Sequence, residues 1–418
     1  MNSEATQTIK PEKAPTGIFV NRQFLFVWMA SIFSGLALSI YILTETWYIL
    51  KELKQPAALG IIMMLTTIPR LLLMSVGGVL ADRMKRSTIM FLSNSVRSSF
   101  IFILVGLLLI DAMNIWLLGV FALLYGILDA FFWPAASSML PQIVGKEQLV
   151  KGNSVLQTTN QLTLLLGPII AGFIIELGSF PGVFAFTAIM LLISTILIRL
   201  INEKIHVKPS TKENTTTFFD EFKEGIQYVK AIPFLVLLMG TSLCVNFFLV
   251  GPLNIGLPLI VDQKLNGNVL NLSYLESSLA LGMIAGAILI GVLNIKKKRA
   301  FICISTIGLL GICSVLFSRI EDLWQGIAVL LLSGICLALT NILSTSLVQE
   351  VTDPAMIGRI QSLLSTAAMG FIPVSLGIVS LFVSMGLSIT TIILHAGSIL
   401  TVFIIILLAG NKLIWSHN

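Results

Sequence analysis

Residues 78–87 read GVLADRMKRS and residues 291–300 read GVLNIKKKRA. Each stretch follows directly on a long apolar run, and each of those runs is the second in a series of six. A shorter echo pairs LPQIV at 140–144 with LVQEV at 347–351, each after the fourth run of its series. The two offsets are 213 and 207 residues, close to half of the 418-residue chain. Matches at equivalent places in two series of runs point to an internal repeat, and the repeat decides the architecture.

The runs are long enough to cross a membrane. A bilayer core about 30 Å thick takes roughly 20 apolar residues as helix. Twelve such segments are legible, near 24–50, 58–81, 88–110, 114–140, 155–177, 181–201, 232–261, 273–294, 300–318, 323–350, 362–386 and 389–411. They are continuously apolar, whereas strands of a membrane barrel would alternate over about ten residues. The seventh, with Pro233, Pro252 and Pro258, is expected to kink. Composition agrees: 56% of residues are hydrophobic and 11% charged, against about 25% charged in a soluble domain. Mean hydropathy is +0.96. The fold class is therefore an all-α membrane protein, with twelve transmembrane helices in two pseudo-repeated six-helix bundles.

Charge sets the expected orientation. With both termini placed in the cytoplasm, twenty of the 26 Lys and Arg fall on cytoplasmic segments. Lys51, Lys54, Lys264 and Arg319 fall outside, and Arg70 and Arg97 fall within spans. That asymmetry is what the positive-inside rule asks of a multi-pass protein in a cell membrane. The net charge of +6 is thus explained by loops, and no basic face for nucleic acid is implied. The expected parts are an N-terminal tail (1–22), a bundle (23–201), a cytoplasmic linker (202–231), a second bundle (232–411) and a C-terminal tail (412–418). Within the linker, Phe218 to Tyr228 has apolar residues near helical spacing, fitting either a short amphipathic helix or a solvated connector. Cys244, Cys303, Cys313 and Cys336 lie inside apolar runs without metal-ligand spacing, so they read as packing residues. No cofactor or metal is expected, and a monomer is.

Several motifs resemble the major facilitator superfamily. GVLADRMKR, from Gly78 through Asp82 and Arg83 to Arg86, resembles its cytoplasmic signature between spans two and three. Lys85 stands where a second glycine is usual, as in the macrolide-efflux and enterobactin-exporter branch. FFWPA (Phe131 to Ala135), LPQ (Leu140 to Gln142), Gly167-Pro168, and Gln349 followed by GRIQ (Gly358 to Gln361) extend the likeness over nearly the whole chain. The resemblance implies secondary transport of a small molecule by two bundles that rock about a central site. It also implies a conformational latch of Gly78, Asp82, Arg83 and Arg86, for which the alternative is a set of topology-fixing charges. Gly167-Pro168 resembles a kink found in antiporters that export drugs; without the family it is a bent helix. The branch commonly has an arginine where Tyr125 stands.

Ionisable groups inside spans are costly and stand as functional hypotheses. At about 1.5 Å per residue, Arg70, Arg97 and Asp129 each lie roughly 15–18 Å from the cytoplasmic face. Glu45 lies nearer the outer end of span one. Either Asp129 pairs with Arg97 or Arg70 to fix packing, or Asp129 and Glu45 are protonation sites. A carboxylate's proton affinity depends on burial and neighbouring charge, so a change of setting would load and release a proton. Arg70 and Arg97 are candidates for an anionic substrate group, with Asn246, Asn254 and Asn341 as hydrogen-bonding partners. Phe131, Phe132 and Trp133 would form an aromatic wall or face lipid. The expectation is a secondary exporter, coupled to protons or to sodium, whose cargo is an anionic metabolite of siderophore type. A multidrug or macrolide pump is the alternative. No zinc-protease helix, nucleophile elbow or Walker A loop is present to suggest a membrane-embedded enzyme; a non-transporting receptor is the remaining reading from another class.

Overall fold

The computed structural model describes residues 17–410 except 145, 203–217, 294, 296 and 354–355; the side chains of 75–79, 81–83, 146 and 218–222 also lie outside the described set. Six helices form the first half: α1 (Arg22–Lys51), α2 (Leu59–Arg83), α3 (Arg86–Leu109), α4 (Ile115–Ile143), α5 (Leu149–Glu176) and α6 (Phe180–Arg199). α7 (Phe218–Ala231) precedes the second half. There the seventh span comprises α8 (Pro233–Val245), a π-helical turn (Asn246–Val250) and α9 (Gly251–Lys264). α10 (Val269–Leu293), α11 (Arg299–Ser318), α12 (Leu323–Val351), α13 (Ile357–Ser384) and α14 (Ile389–Gly410) complete it. Twelve of these stretches are long and apolar enough to span a bilayer, and no strand occurs among the described residues.

The helices form because lipid offers backbone groups no partner, so each apolar run must satisfy them internally. Their starts are written locally. Asn21, Asn114 and Ser179 accept bonds from the first free N–H groups of α1, α4 and α6. α5 and α13 begin at Leu149 and Ile357, several residues before the apolar runs at 155 and 362, because a helix continues through polar residues once it leaves the hydrocarbon. Where the seventh span is expected to kink, it carries a π turn just before Gly251-Pro252.

The repeat is visible in the bonding. Arg86 Nε donates to Ser138 Oγ across α3 and α4 at 3.1 Å. Arg299 Nη1 donates to Ser346 Oγ across α11 and α12 at 3.3 Å. The two arginines are 213 positions apart, as in the first sequence echo, and the two serines 208, one more than the offset of the second. Arg299 also pairs with Glu350 at 2.7 Å. α7 is a helix rather than an unstructured connector, and it leans on the start of α13. Glu224 meets Arg359 at 3.0 Å, and the Tyr228 hydroxyl accepts from the Asp353 N–H at 3.0 Å.

The two halves touch through α5 with α10, α2 with α13, and α1 with α9. Gly172 faces Ser273 where a β-carbon would collide, which lets α5 and α10 meet. Ser277 Oγ donates to the Leu165 carbonyl at 2.8 Å, and Ser380 Oγ to that of Ala57. Lys51 and Asp262 pair at 2.5 Å. These links lie toward the end of the bundle opposite the chain termini, so that end is closed.

Candidate functional site

Asp129, Arg97 and Arg70 come together at mid-length of α4, α3 and α2. Asp129 is 1% exposed and Arg97 is fully enclosed. Arg97 Nη1 donates to Asp129 Oδ1 at 2.6 Å. Its Nη2 donates to Asn94 Oδ1, and to Ser34 Oγ at 3.3 Å. The guanidinium also lies over the rings of Tyr125 and Phe132, 5.2 and 5.6 Å from their centroids. A charge held by a carboxylate, an amide, a hydroxyl and two aromatic faces is anchored. Close packing of α4 on α2 makes this geometry accessible: a β-carbon on Gly126 would strike the Thr66 carbonyl.

Arg70 is the looser partner. Its Nε stands 3.3 Å from Asp129 Oδ2, near enough for charge pairing but off hydrogen-bond alignment, and its side chain is 37% exposed. Two guanidinium groups share one carboxylate, so the trio carries one positive charge in excess. Glu45 is separate, buried one helix away, and accepts a 2.8 Å bond from the Tyr41 hydroxyl. Tyr41 stacks on Tyr125 with centroids 4.2 Å apart. A continuous polar and aromatic path therefore runs from Glu45 through Tyr41 and Tyr125 to Arg97 and Asp129. Tyr125, where the branch has arginine, receives Arg97 against its ring.

The second half supplies a polar wall. A cleft of about 410 Å³ is lined by Leu238, Ser242, Asn246, Asn341, Ser344, Thr345, Val348, Gln361, Leu364, Ser365, Ala368 and Met369. These positions occupy the terminus-side halves of the seventh span, α12 and α13. The Cβ-less Gly377 of α13 packs on Met64 of α2. Counting six residues along each helix from that contact brings Arg70 level with Phe371, just above Met369. Arg70 thus stands at about the depth of the cleft's inner end, and the cleft's own wall is uncharged.

Not every expected site residue joins it. Asn246 and Asn341 do, although the Asn246 amide also donates to the Ser242 carbonyl at 2.9 Å. Asn254 does not: it is exposed, and its amide donates to the Val250 carbonyl at 2.8 Å. Gly167 packs on Ser39 of α1, and Pro168 sits buried within an unbroken α5. The side chains of Gly78, Asp82 and Arg83 lie outside the described residues, while Arg86 is engaged as given above. Phe132 is core, packed under Arg97, so the aromatic triplet is neither a wall nor a lipid face as a unit. Sequence reading passed over Tyr41, Asn94, Lys51 and Asp262, and also over Ser242, Thr345 and Ser365. The last three had a signal: polar residues at helical spacing in 242/246, 341/344/345 and 361/365.

Two related six-helix halves, one holding a buried charged trio and the other a polar cleft, fit the build of secondary transporters. Residues 27–377 match the Major Facilitator Superfamily, and the chain belongs to that superfamily. Macrolide efflux protein A of Streptococcus pyogenes is 23% identical over 365 residues, covering 86% of this chain and 89% of the relative. Enterobactin exporter EntS of Salmonella typhi is 26% identical over 298 residues, covering 69% and 68%. Among solved structures, the nucleoside transporter NupG superposes with a TM-score of 0.72 at 13% identity, covering 93% of this chain and 98% of that one. At that identity the likeness is one of fold.

Proposed function

We propose that the protein is a proton-coupled exporter working by alternating access, with an anionic small molecule of siderophore type as cargo. The observation that carries the reading is the unequal hold on Asp129. Arg97 is held by five neighbours, whereas Arg70 is displaced, partly open and level with the inner end of the cleft. An anionic group entering the cleft can take Arg70 from Asp129, and a proton arriving on Asp129 can release it in the same way. Competition of cargo and proton for one arginine is the essence of exchange. The uncharged amides and hydroxyls opposite would hydrogen-bond the rest of the cargo.

With both termini in the cytoplasm, the closed end is external and the cleft opens inward, the state in which an exporter loads. Glu45 is the second protonation site in this scheme, joined to the first through Tyr41 and Tyr125. The loop containing Asp82 would latch the cytoplasmic end when the cycle turns. The relatives named for macrolide efflux and enterobactin export both support outward transport.

A second reading is a drug pump, favoured by the broader coverage of the macrolide-efflux relative. There the carboxylates would attract a cationic or hydrophobic drug. The deciding assay uses everted vesicles with an imposed pH gradient, comparing a catecholate siderophore with a macrolide. Gradient-driven uptake of the catecholate, lost in Asp129→Asn and in Glu45→Gln, supports the proposal. Uptake of the macrolide alone favours the second reading, and full proton-driven uptake by both variants removes the coupling scheme.

A further inference from the structure

A second cavity, of about 280 Å³, lies apart from the polar cleft. It opens between α13 and α14, which scarcely touch and both lean on α9 and the π turn. Its back wall is Phe247 and Phe248 of that turn, and its rims are Phe382 on α13 and Ile399 on α14. Both rims are exposed, so the cavity opens sideways.

Its depth identifies its surroundings. Leu387 lies just before α14 at the closed end of the bundle, and from there the lining runs along the helix from Thr391 to Ile399, eight residues. Those eight residues are roughly 12 Å of helix, against about 15 Å for one leaflet's share of the hydrocarbon. The opening therefore faces lipid tails over most of the depth of a leaflet.

The chemistry of the wall is as restrictive. Three polar side chains line it, and each has a partner. Ser375 Oγ donates to the Phe247 carbonyl at 2.5 Å, His395 Nδ1 lies 2.8 Å from the Thr391 carbonyl, and the hydroxyls of Thr391 and Ser388 bond at 2.8 Å. No carboxylate lines the cavity, so a lipophilic cation would find no counter-ion. Left unfilled, the wall would forfeit its dispersion contacts, and a lipid tail is as apolar as leucine.

We infer that this cavity is a binding site for one acyl chain of a membrane phospholipid, inserted laterally from the leaflet at the closed end. The π turn separates it from the transport cleft by a single residue step: Phe247 and Phe248 face the chain, and Asn246 faces the polar cleft. π turns are rare and recur at functional sites; here the carbonyl at Phe247 is met by Ser375.

The test reconstitutes the full chain in vesicles of phosphatidylethanolamine and phosphatidylglycerol bearing a mid-chain diazirine. Photolabelled peptides are then mapped. Label is expected on Phe382 and Ile399 in excess over Ile196 of α6, an exposed residue on an ordinary lipid face. Ala396→Phe, which fills the cavity from its floor, should lower that label about tenfold, equivalent to about 1.4 kcal/mol. Ile378→Trp fills it from the opposite wall and should do the same if Ala396→Phe fails to fold. Equal labelling of α6 and the cavity, or labelling unchanged in a folded filled variant, overturns the inference. So does displacement of the label by tetraphenylphosphonium, which would make the cavity a route for hydrophobic cations.

Discussion

Replacing Arg70 and Arg97 separately by glutamine should split two roles that share one carboxylate. Arg97 is fully enclosed, and its loss leaves Asp129, 1% exposed, with only the 3.3 Å contact to Arg70. Breaking a buried pair from one side costs about 3–5 kcal/mol, a shift of roughly two to three and a half powers of ten in the folding equilibrium. Arg70 is partly open and poorly aligned, and such pairs contribute about 0–1 kcal/mol. Arg70→Gln should therefore fold nearly as well as the parent yet lose gradient-driven transport, whereas Arg97→Gln should lose folded protein. Thermal unfolding of detergent-purified protein, followed by fluorescence size exclusion, reads the first quantity, and everted vesicles read the second. The reasoning is refuted if Arg70→Gln destabilises as much as Arg97→Gln, or if it transports normally.

Breaking the Lys51–Asp262 pair with Asp262→Asn should shift the balance toward opening at the far end by up to about fivefold, given about 0.2–1 kcal/mol for a half-exposed pair. The exchange Lys51→Asp with Asp262→Lys should restore it, as judged by spin-label distances across that end. Gly126→Val should abolish folded protein because its side chain meets the Thr66 backbone, while Gly240→Ala, with open space around it, should not; expression and monodispersity tell them apart. Asn246→Ala and Asn341→Ala should each raise KM between about twofold and about tenfold, the value of one lost hydrogen bond of about 0.5–1.5 kcal/mol, with kcat little changed in vesicle transport assays.

Much of this was legible in sequence because lipid simplifies the reading. Runs of apolar residues define the spans, and the echo around Arg86 and Arg299 gives the repeat; it does not give the serines those arginines bond, which stand 208 rather than 207 positions apart. The shared depth of Arg70, Arg97 and Asp129 followed from counting residues along three helices. Depth does not give azimuth. Which arginine is buried, and which is open, depends on helix rotation that uniformly apolar neighbours leave undetermined. For the same reason Asn246 and Asn254 look alike in the sequence as polar residues of one span, although Asn254 is exposed and lies outside the cleft. Tyr41 lies one helical turn before Glu45, a spacing that marks a partner only once the helix is known to be buried there. Lys51 and Asp262, 211 positions apart, meet only through the packing of the two halves.

Both arginines of the site belong to the first half, and their excess positive charge sits near the middle of the membrane. The transmembrane voltage is worth about 2.3 kcal/mol per elementary charge per 100 mV for a full crossing. A charge close to the pivot of two tilting halves traverses only a small fraction of that drop. Reorientation of the unloaded protein should therefore be nearly voltage-independent, leaving the electrical work of a cycle to the net charge of whatever is carried.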